Sequence, residues 1–301
     1  MTDRAREGMA QLVDKRILGD TTTHAPGLAS HLGRLFLAWK GAGNDNLNLM
    51  FSADDGRTFV GKVTVPDAST HGPALASGPT GLWVAWKGSG NDNLNVARAQ
   101  LIGNTAGAFG IEPKLGDKTV VAQLSPVAPA LAVHQDERML SWKGLGNDHL
   151  NVMRGGVSGP FGGPSIFFED FSDRTPAVAV HNGSLFIAWK GSGNQNLNVA
   201  RVPIGTTGVG VSLADKRILG DTTEQGPALA SHNGRLWLAW KGAGNDNLNV
   251  LTSSDGLSFG GKTTFGDASD SQPALAPHRG RLFMAWKGSG NQNLNVAELR
   301  D

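Results

Sequence analysis

The sequence predicts an all-β protein, a six-bladed β-propeller of four-stranded antiparallel blades. Three observations lead there. A Trp-Lys-Gly sequence recurs at Trp39, Trp86, Trp142, Trp189, Trp240 and Trp286, at intervals of 46 to 56 residues, which is the size of a propeller blade. Each copy sits between short runs rich in Val, Leu, Phe and Trp that are cut by Gly, Pro, Asn and Asp, with no 3.6-residue period. Finally, the last repeat stops one strand short, and Lys15-Arg16-Ile17-Leu18-Gly19-Asp20 duplicates Lys216-Arg217-Ile218-Leu219-Gly220-Asp221, the outer strand of the fourth repeat. Residues 15 to 18 are therefore expected to complete the last blade and close the ring, removing two free sheet edges.

Within the fifth repeat the order of elements is legible. Pro227 to Ala230 reads as a first strand, His232-Asn233-Gly234 as a turn, Arg235 to Lys241 as a second strand and Gly242 to Asn247 as another turn. Leu248 to Leu251 then forms a third strand, and a turn at Ser253 to Gly256 leads to a fourth around Gly261 to Phe265. The second strand, Leu236-Trp237-Leu238-Ala239-Trp240, is apolar on both faces, as expected where sheets are stacked radially and buried on both sides. A longer period overlies the blade period, since repeats one and five resemble each other more than their neighbours. Odd repeats leave the third strand through a short turn, and even ones through longer connections, Gly103 to Pro113 and Pro203 to Leu213.

All 301 residues are expected to form one domain, with residues 1 to about 12 as a loose tail. A composition 39% hydrophobic and 18% charged supplies both a core and a soluble surface. The formal charge of +1, without basic runs, gives no electrostatic ground for a nucleic-acid or membrane partner. The chain has no cysteine, so neither disulfides nor thiolate metal sites are expected. With neither a signal-like apolar start nor a membrane-spanning run, the expected location is cytoplasmic or non-classically secreted.

The odd-repeat turn Ser52-Ala53-Asp54-Asp55-Gly56-Arg57-Thr58-Phe59 resembles the Asp-box of sialidase-like propellers, Ser-x-Asp-x-Gly-x-Thr-Phe/Trp. Thr252 to Phe259 reads as a weaker copy with Ser254 where the motif wants aspartate, and the third repeat, Gly155 to Phe161, has lost it. The role expected of Asp54 and Asp255 is local: a carboxylate accepts N–H bonds across a turn that Gly permits. The resemblance implies a tyrosine nucleophile, an arginine triad and an aspartate acid. The chain contains no tyrosine, so the nucleophile is missing. Its recurrent arginines, Arg34, Arg138, Arg235 and Arg281, fall at the turn between first and second strands, on the Asp-box face. The expectation is a lectin-type propeller and not an active sialidase.

Antiparallel order places the Lys-Gly-x-Gly-Asn loops and the blade-to-blade connections on one face of the ring. Six similar niches result, with candidate ligand contacts at Lys40, Asn44 and Asn46; Lys87, Asn91 and Asn93; Lys143 and Asn147; Lys190, Asn194 and Asn196; Lys241, Asn245 and Asn247; and Lys287, Asn291 and Asn293. Lysine donors and asparagine amides suit sugar hydroxyls, and sixfold weak binding gains by avidity on a dense glycan surface. The competing reading is architectural: Gly-x-Gly-Asn as a turn, with Asn48 and its counterparts bonding between blades. The repeat tryptophans belong in the core or, alternatively, form a stacking surface.

No cofactor or metal is expected. Calcium would suit Asn44-Asp45-Asn46, but the aspartate becomes Gln195 and Gln292 in two repeats. The histidines His31, His134, His181, His232 and His278 sit one per turn, well apart, as packing residues. The acidic run Glu169-Asp170-Phe171-Ser172-Asp173 is the one departure from the repeat. It supports an alternative, a glycoside-processing hydrolase centred on Glu169 and Asp170. A ligand-free or engineered scaffold is the third reading.

Overall fold

The computed structural model describes residues 9–103, 109–134, 137–156, 159–163 and 165–301. Six antiparallel sheets stand around a common axis. Blade one comprises Gly27–His31, Arg34–Lys40, Asn46–Ser52 and Val60–Ala68, and blade five Ala228–His232, Arg235–Lys241, Asn247–Ser253 and Gly260–Ala268. The first strands line the axis. Each second strand is buried on both faces, and the six repeat tryptophans are each 1% exposed. They are core residues and offer no stacking surface.

Closure follows the expectation and extends it. Gln11–Thr21 pairs antiparallel with Asn293–Arg300, from Gln11 opposite Arg300 to Thr21 opposite Asn293. The strand therefore begins earlier than the expected tail allows. Ala10 is buried and Leu12 packs into the core between blades five and six. Only residues 1–8 of that tail lie outside the described residues.

The even-blade connections hold more structure than their sequence indicated. In blade two, Asn93–Gly103 and Phe109–Leu124 continue as paired strands well beyond the ring. After blade four's third strand, Gly208–Val211 pairs parallel to Ser165–Phe171, the outer strand of blade three, making that sheet five-stranded. Two glycines in four residues make the Gly-Val-Gly-Val stretch too weak a strand former to announce one.

The turn at Ser52 to Phe59 is built around one carboxylate. Asp54 accepts from the Thr58 N–H at 2.8 Å, the Thr58 hydroxyl at 2.7 Å and the Ser52 hydroxyl at 2.8 Å. Gly56, at φ 78°, lets the turn close over Phe283 of blade six, which a β-carbon there would approach to 2.9 Å. In blade five the equivalent carboxylate is Asp255, which accepts from Ser253, Leu257 and Ser258. The reading of Ser254 as a lost aspartate is thus corrected: the loop is one residue tighter and keeps its carboxylate. Partial burial opposes the Asp54 charge, but the bonds from Thr58 and Ser52 outweigh it and hold the carboxyl at about 2, below its usual 3.8.

A folded-state value below the ordinary one stabilises the protein above pH 3.8, and that contribution fades as the pH falls toward 2. Urea melts of Asp54→Asn should therefore show a flatter acid limb than the parent, by on the order of 1 kcal/mol once solvent screening is allowed for. An identical acid limb in the two proteins would show that the turn does not depend on the charge.

Candidate functional site

Each loop after a second strand is fastened at both ends by backbone bonds. Its third residue donates to the last strand of the preceding blade: Ala42 to Thr21, Ser89 to Ala68, Leu145 to Leu124, Ser192 to Phe171, Ala243 to Thr222 and Ser289 to Ala268, all at 3.1–3.2 Å. A loop carbonyl then accepts from the first residue of the outgoing connection, as Asp45 does from Ser69 and Asp246 from Ser269, both at 2.8 Å. The loops and connections therefore form one continuous band on a single face.

The candidate lysines lie inside this band, not on it. Lys40, Lys87, Lys190, Lys241 and Lys287 are 5–7% exposed. Lys87 Nζ donates to Thr70 Oγ1 at 3.1 Å, the Gly88 carbonyl at 3.4 Å and the Asn91 carbonyl at 2.9 Å, and lies 3.1 Å from Asp92. Lys40 repeats this with Thr23, Gly41, Asn44 and Asp45. Lys190 and Lys287 instead take both oxygens of Asp173 and Asp270, at 2.6–2.8 Å. Lys241 pairs with Glu224 and Asp246, and the half-buried Lys143 pairs with Asp148 at 2.7 Å.

The asparagines divide into two rows. Asn44, Asn91, Asn147, Asn194, Asn245 and Asn291 close their own loops, each accepting at 2.9–3.1 Å from the N–H two residues on. Asn46, Asn93, Asn196, Asn247 and Asn293 are exposed or half-exposed, and among the described residues their side-chain amides have no partner; blade three has His149 there. Asn48 does not bond between blades as expected. Its Oδ1 accepts from Thr64 of the same blade at 2.7 Å, and Asn249 does likewise from Thr264 at 2.6 Å.

Blade contacts alternate in pairs. Asp45 accepts from Ser89, Asp148 from Ser192 at 2.7 Å, and Asp246 from Ser289, each reaching from an odd blade to the next even one. Even blades cannot return the contact, because the odd loops carry Ala42, Leu145 and Ala243 at the serine position. The serine bond leads the lowering of the Asp45 and Asp246 carboxyls, while for Asp148 the Lys143 bond comes first.

Asp170 is not a departure from the repeat. It pairs with Lys216 of the next blade, just as Asp20 pairs with Lys62, Asp67 with Lys118, Asp221 with Lys262 and Asp267 with Lys15. Those lysines also lie 5.2–5.5 Å over Trp39, Trp86, Trp189, Trp240 and Trp286. Glu169 reaches toward Gly210 of the added strand while Asp170 is taken by Lys216, so the two carboxylates are engaged with different neighbours. Asp173 is held by Lys190. Arg138 also departs from its expectation: it is buried one residue into the second strand, over Trp83 at 4.0 Å, and donates to the Gly156 and Gly159 carbonyls.

The remaining site is the mouth of the ring. All six connections line an axial cavity of about 490 Å³. One register position there differs among repeats that are otherwise close copies: His24, His71, Val127, Arg174, Gln225 and Ser271. The His24 and His71 rings are 5.0 Å apart. Burial, then the neighbouring His24, Lys87 and Lys40, push His71 down to about 4, and burial with Lys40 lowers His24. Both are therefore neutral at pH 7. Arg174 donates to the Glu224 and Asp173 carbonyls, which aims its guanidinium along the rim. Sequence inspection passed over this ring because it was directed at what the repeats share. The signal was the variable residues two before each Pro26, Pro73, Pro129, Pro176, Pro227 and Pro273.

Three of the first-turn histidines bond across blades, His278 to Ser30 at 2.8 Å, His31 to Ser77 at 2.9 Å and His181 to Ser231 at 2.9 Å, as packing residues do.

No known protein family and no curated protein sequence matches the chain. Solved propellers match its fold. Trypanosoma rangeli sialidase in complex with the inhibitor DANA aligns at 12% identity and a TM-score of 0.63, over 93% of this chain and 55% of the sialidase. A Hadza microbial sialidase aligns at 14% identity and 0.62, over 91% of this chain and 65% of its own. A luciferin-regenerating enzyme aligns at 10% identity and 0.58, covering 96% and 94%. The chain spans just over half the length of the trypanosomal enzyme, and at these identities the likeness is one of fold.

Lys87→Met keeps the side-chain stem and removes the ammonium, stranding two carbonyls, a hydroxyl and Asp92. The urea midpoint should fall by an amount equivalent to about 2 kcal/mol with the slope unchanged. A midpoint equal to that of the parent would mean the ammonium is not structural and is available to a ligand.

Proposed function

We propose that the chain is a non-hydrolytic, multivalent carbohydrate-binding propeller of lectin type, using the face formed by the loops and connections. What carries this reading is the fate of the acids there. Asp45, Asp92, Asp148, Asp173, Glu224, Asp246 and Asp270 all pair with a lysine, and every resolved shift among them is downward. Glycosidic cleavage wants a carboxylic acid held protonated near neutral pH, which requires a shift in the opposite direction.

With the lysines committed inward, the groups left for a sugar are neutral. The second-row amides of Asn46, Asn93, Asn196, Asn247 and Asn293 each offer two donors and an acceptor, the pattern that vicinal hydroxyls complement. They repeat around the ring, so individually weak contacts add up on a clustered glycan. The sialidases that share the fold, one of them solved with sialic acid, support a carbohydrate ligand by analogy of architecture. The asymmetric axial cavity favours a second reading, a hydrolase with one centre at the mouth. Its one lining carboxylate, Asp270, is bound at both oxygens by Lys287.

A glycan array probed with labelled protein, with and without chelator, tests the proposal. A sugar-specific signal that survives chelation is expected, as is its loss by more than about tenfold when the five second-row asparagines become alanine, with melting little changed. Signal retained in that variant would move the site to the axial cavity. Release of free sugar from any bound glycan would overturn the non-hydrolytic reading.

A further inference from the structure

Blade three breaks the second row. The register places each second-row residue opposite the last residue of its blade's outer strand: Asn46 opposite Ala68, Asn93 opposite Leu124, Asn196 opposite Thr222, Asn247 opposite Ala268 and Asn293 opposite Thr21. In blade three the pair is His149 and Phe171, with ring centres 4.5 Å apart. Phe171 is 46% exposed. Leu145, in the same loop, and Leu124, whose carbonyl accepts the Leu145 N–H, are 41% and 44% exposed. Among the described residues these are the large apolar side chains exposed on the loop face, and all three stand at one loop.

The fold does not require them. The same backbone bond fastens the other loops with Ala42, Ser89, Ser192, Ala243 or Ser289 in place of Leu145, and Ala68, Ala268, Thr21 and Thr222 end outer strands where Phe171 does. An apolar cluster kept at the surface without an architectural need marks a contact with something else. The polar groups beside it also differ from their counterparts. His149 Nδ1 lies 2.6 Å from the Phe168 carbonyl. A carbonyl only accepts, so Nδ1 carries the proton, and Nε2 of the neutral ring is left as an acceptor with no partner among the described residues. Asn147 accepts the His149 N–H at 3.1 Å. Among the described residues its amide nitrogen makes no bond to its own loop's carbonyl of the kind that Asn91, Asn194, Asn245 and Asn291 make at 3.2–3.3 Å. One loop thus presents a donor, an acceptor and an aromatic face.

We propose that this loop is the primary subsite of the ring and takes an N-acetylhexosamine. A C–H face of the pyranose lies on Phe171, its hydroxyls exchange bonds with His149 Nε2 and the Asn147 amide, and the acetamido methyl meets Leu145 and Leu124. Such a sugar joins an apolar ring face, hydroxyls and one methyl group in a single small unit, which is the mixture the loop presents. The inference rests on the lectin reading and adds to it: five weak amide sites supply avidity, and one site sets which sugar is held.

The test is an NMR titration of ¹³C-labelled protein with the methyl β-glycosides of N-acetylglucosamine and N-acetylgalactosamine. It is followed at the His149 Cε1–H peak, assigned by its absence in His149→Asn. A saturable shift is expected with at least one of them, and the corresponding glycosides of glucose and galactose should bind about tenfold more weakly. Phe171→Ala introduces the residue that blades one and five use in this register, and should weaken binding by a similar factor with melting unchanged. Alanine at the five second-row asparagines should lower the array signal yet leave this titration unmoved, since the titration reads one site in solution. No saturable shift, equal affinity for the plain glycosides, or full affinity in Phe171→Ala would each overturn the proposal. Where one of those results comes with an array signal that the five asparagines carry, the lectin reading stands without this subsite; a blank array removes both.

Discussion

The ring depends on six lysines at the ends of its second strands, five buried and one, Lys143, half-buried. Because each sheet is covered on both faces, the strand carries its ammonium group to a place where water cannot serve it, and the protein must supply the acceptors. It does so by curling the following loop until its carbonyls face the lysine, and by bringing the outgoing connection close enough to add a hydroxyl or a carboxylate. The lysine therefore determines the loop shape, and the loop shape sets where the next blade begins. Thr23, Thr70, Asp173, Glu224 and Asp270 answer it in five blades, and blade three, with a proline at that position, relies on Asp148 alone. A neutral hydroxyl suffices where two carbonyls and an aspartate complete the shell.

The same economy of contacts explains the threefold period laid over six blades. An aspartate that serves the lysine with one oxygen reaches the serine of the next blade with the other, so odd and even blades are coupled in pairs through side chains and all six through the backbone. On the outer strands, a lysine over each tryptophan takes the aspartate of the blade before it at five seams. The blade two–three seam has neither partner, and there Arg138 is buried over Trp83 between adjacent sheets.

Spacing, strand composition and the duplicated Lys15–Asp20 stretch made blade number, strand order and closure legible, because those features follow from turn chemistry and burial that repeat six times. The added strand Gly208–Val211 was not legible, since its pairing depends on a partner strand more than forty residues earlier in the chain. At the candidate site, the sequence placed the loops and connections together on one face, but did not show which way their groups turn. Lys87 and Asn93 read alike as polar loop residues, and only the backbone path separates a donor spent on carbonyls from a free amide. The Asp170 carboxylate shows the converse: it looked singular among Phe167, Phe168 and Phe171, yet alignment by strand register makes it one of five equivalent residues.

Repetition in this chain serves architecture first, and that changes where function is to be sought. Residues identical in every repeat are the ones the ring consumes: the lysine, the turn glycines, the first asparagine and the tryptophan. What remains for a ligand is of two kinds. The second-row amides repeat because the loop forces them outward, giving several equal and weak contacts. The residues two before the connection prolines line the axial cavity; their carbonyls accept a repeated Ser or Thr hydroxyl, while their side chains have diverged to two imidazoles, a guanidinium, an amide, a hydroxyl and an isopropyl group. A ring of copies can bind a symmetric or clustered target with the first set, and only the second can distinguish one orientation of a single ligand from another. On the proposed reading, selectivity between orientations of a ligand, as distinct from avidity, would have its physical basis at the axis.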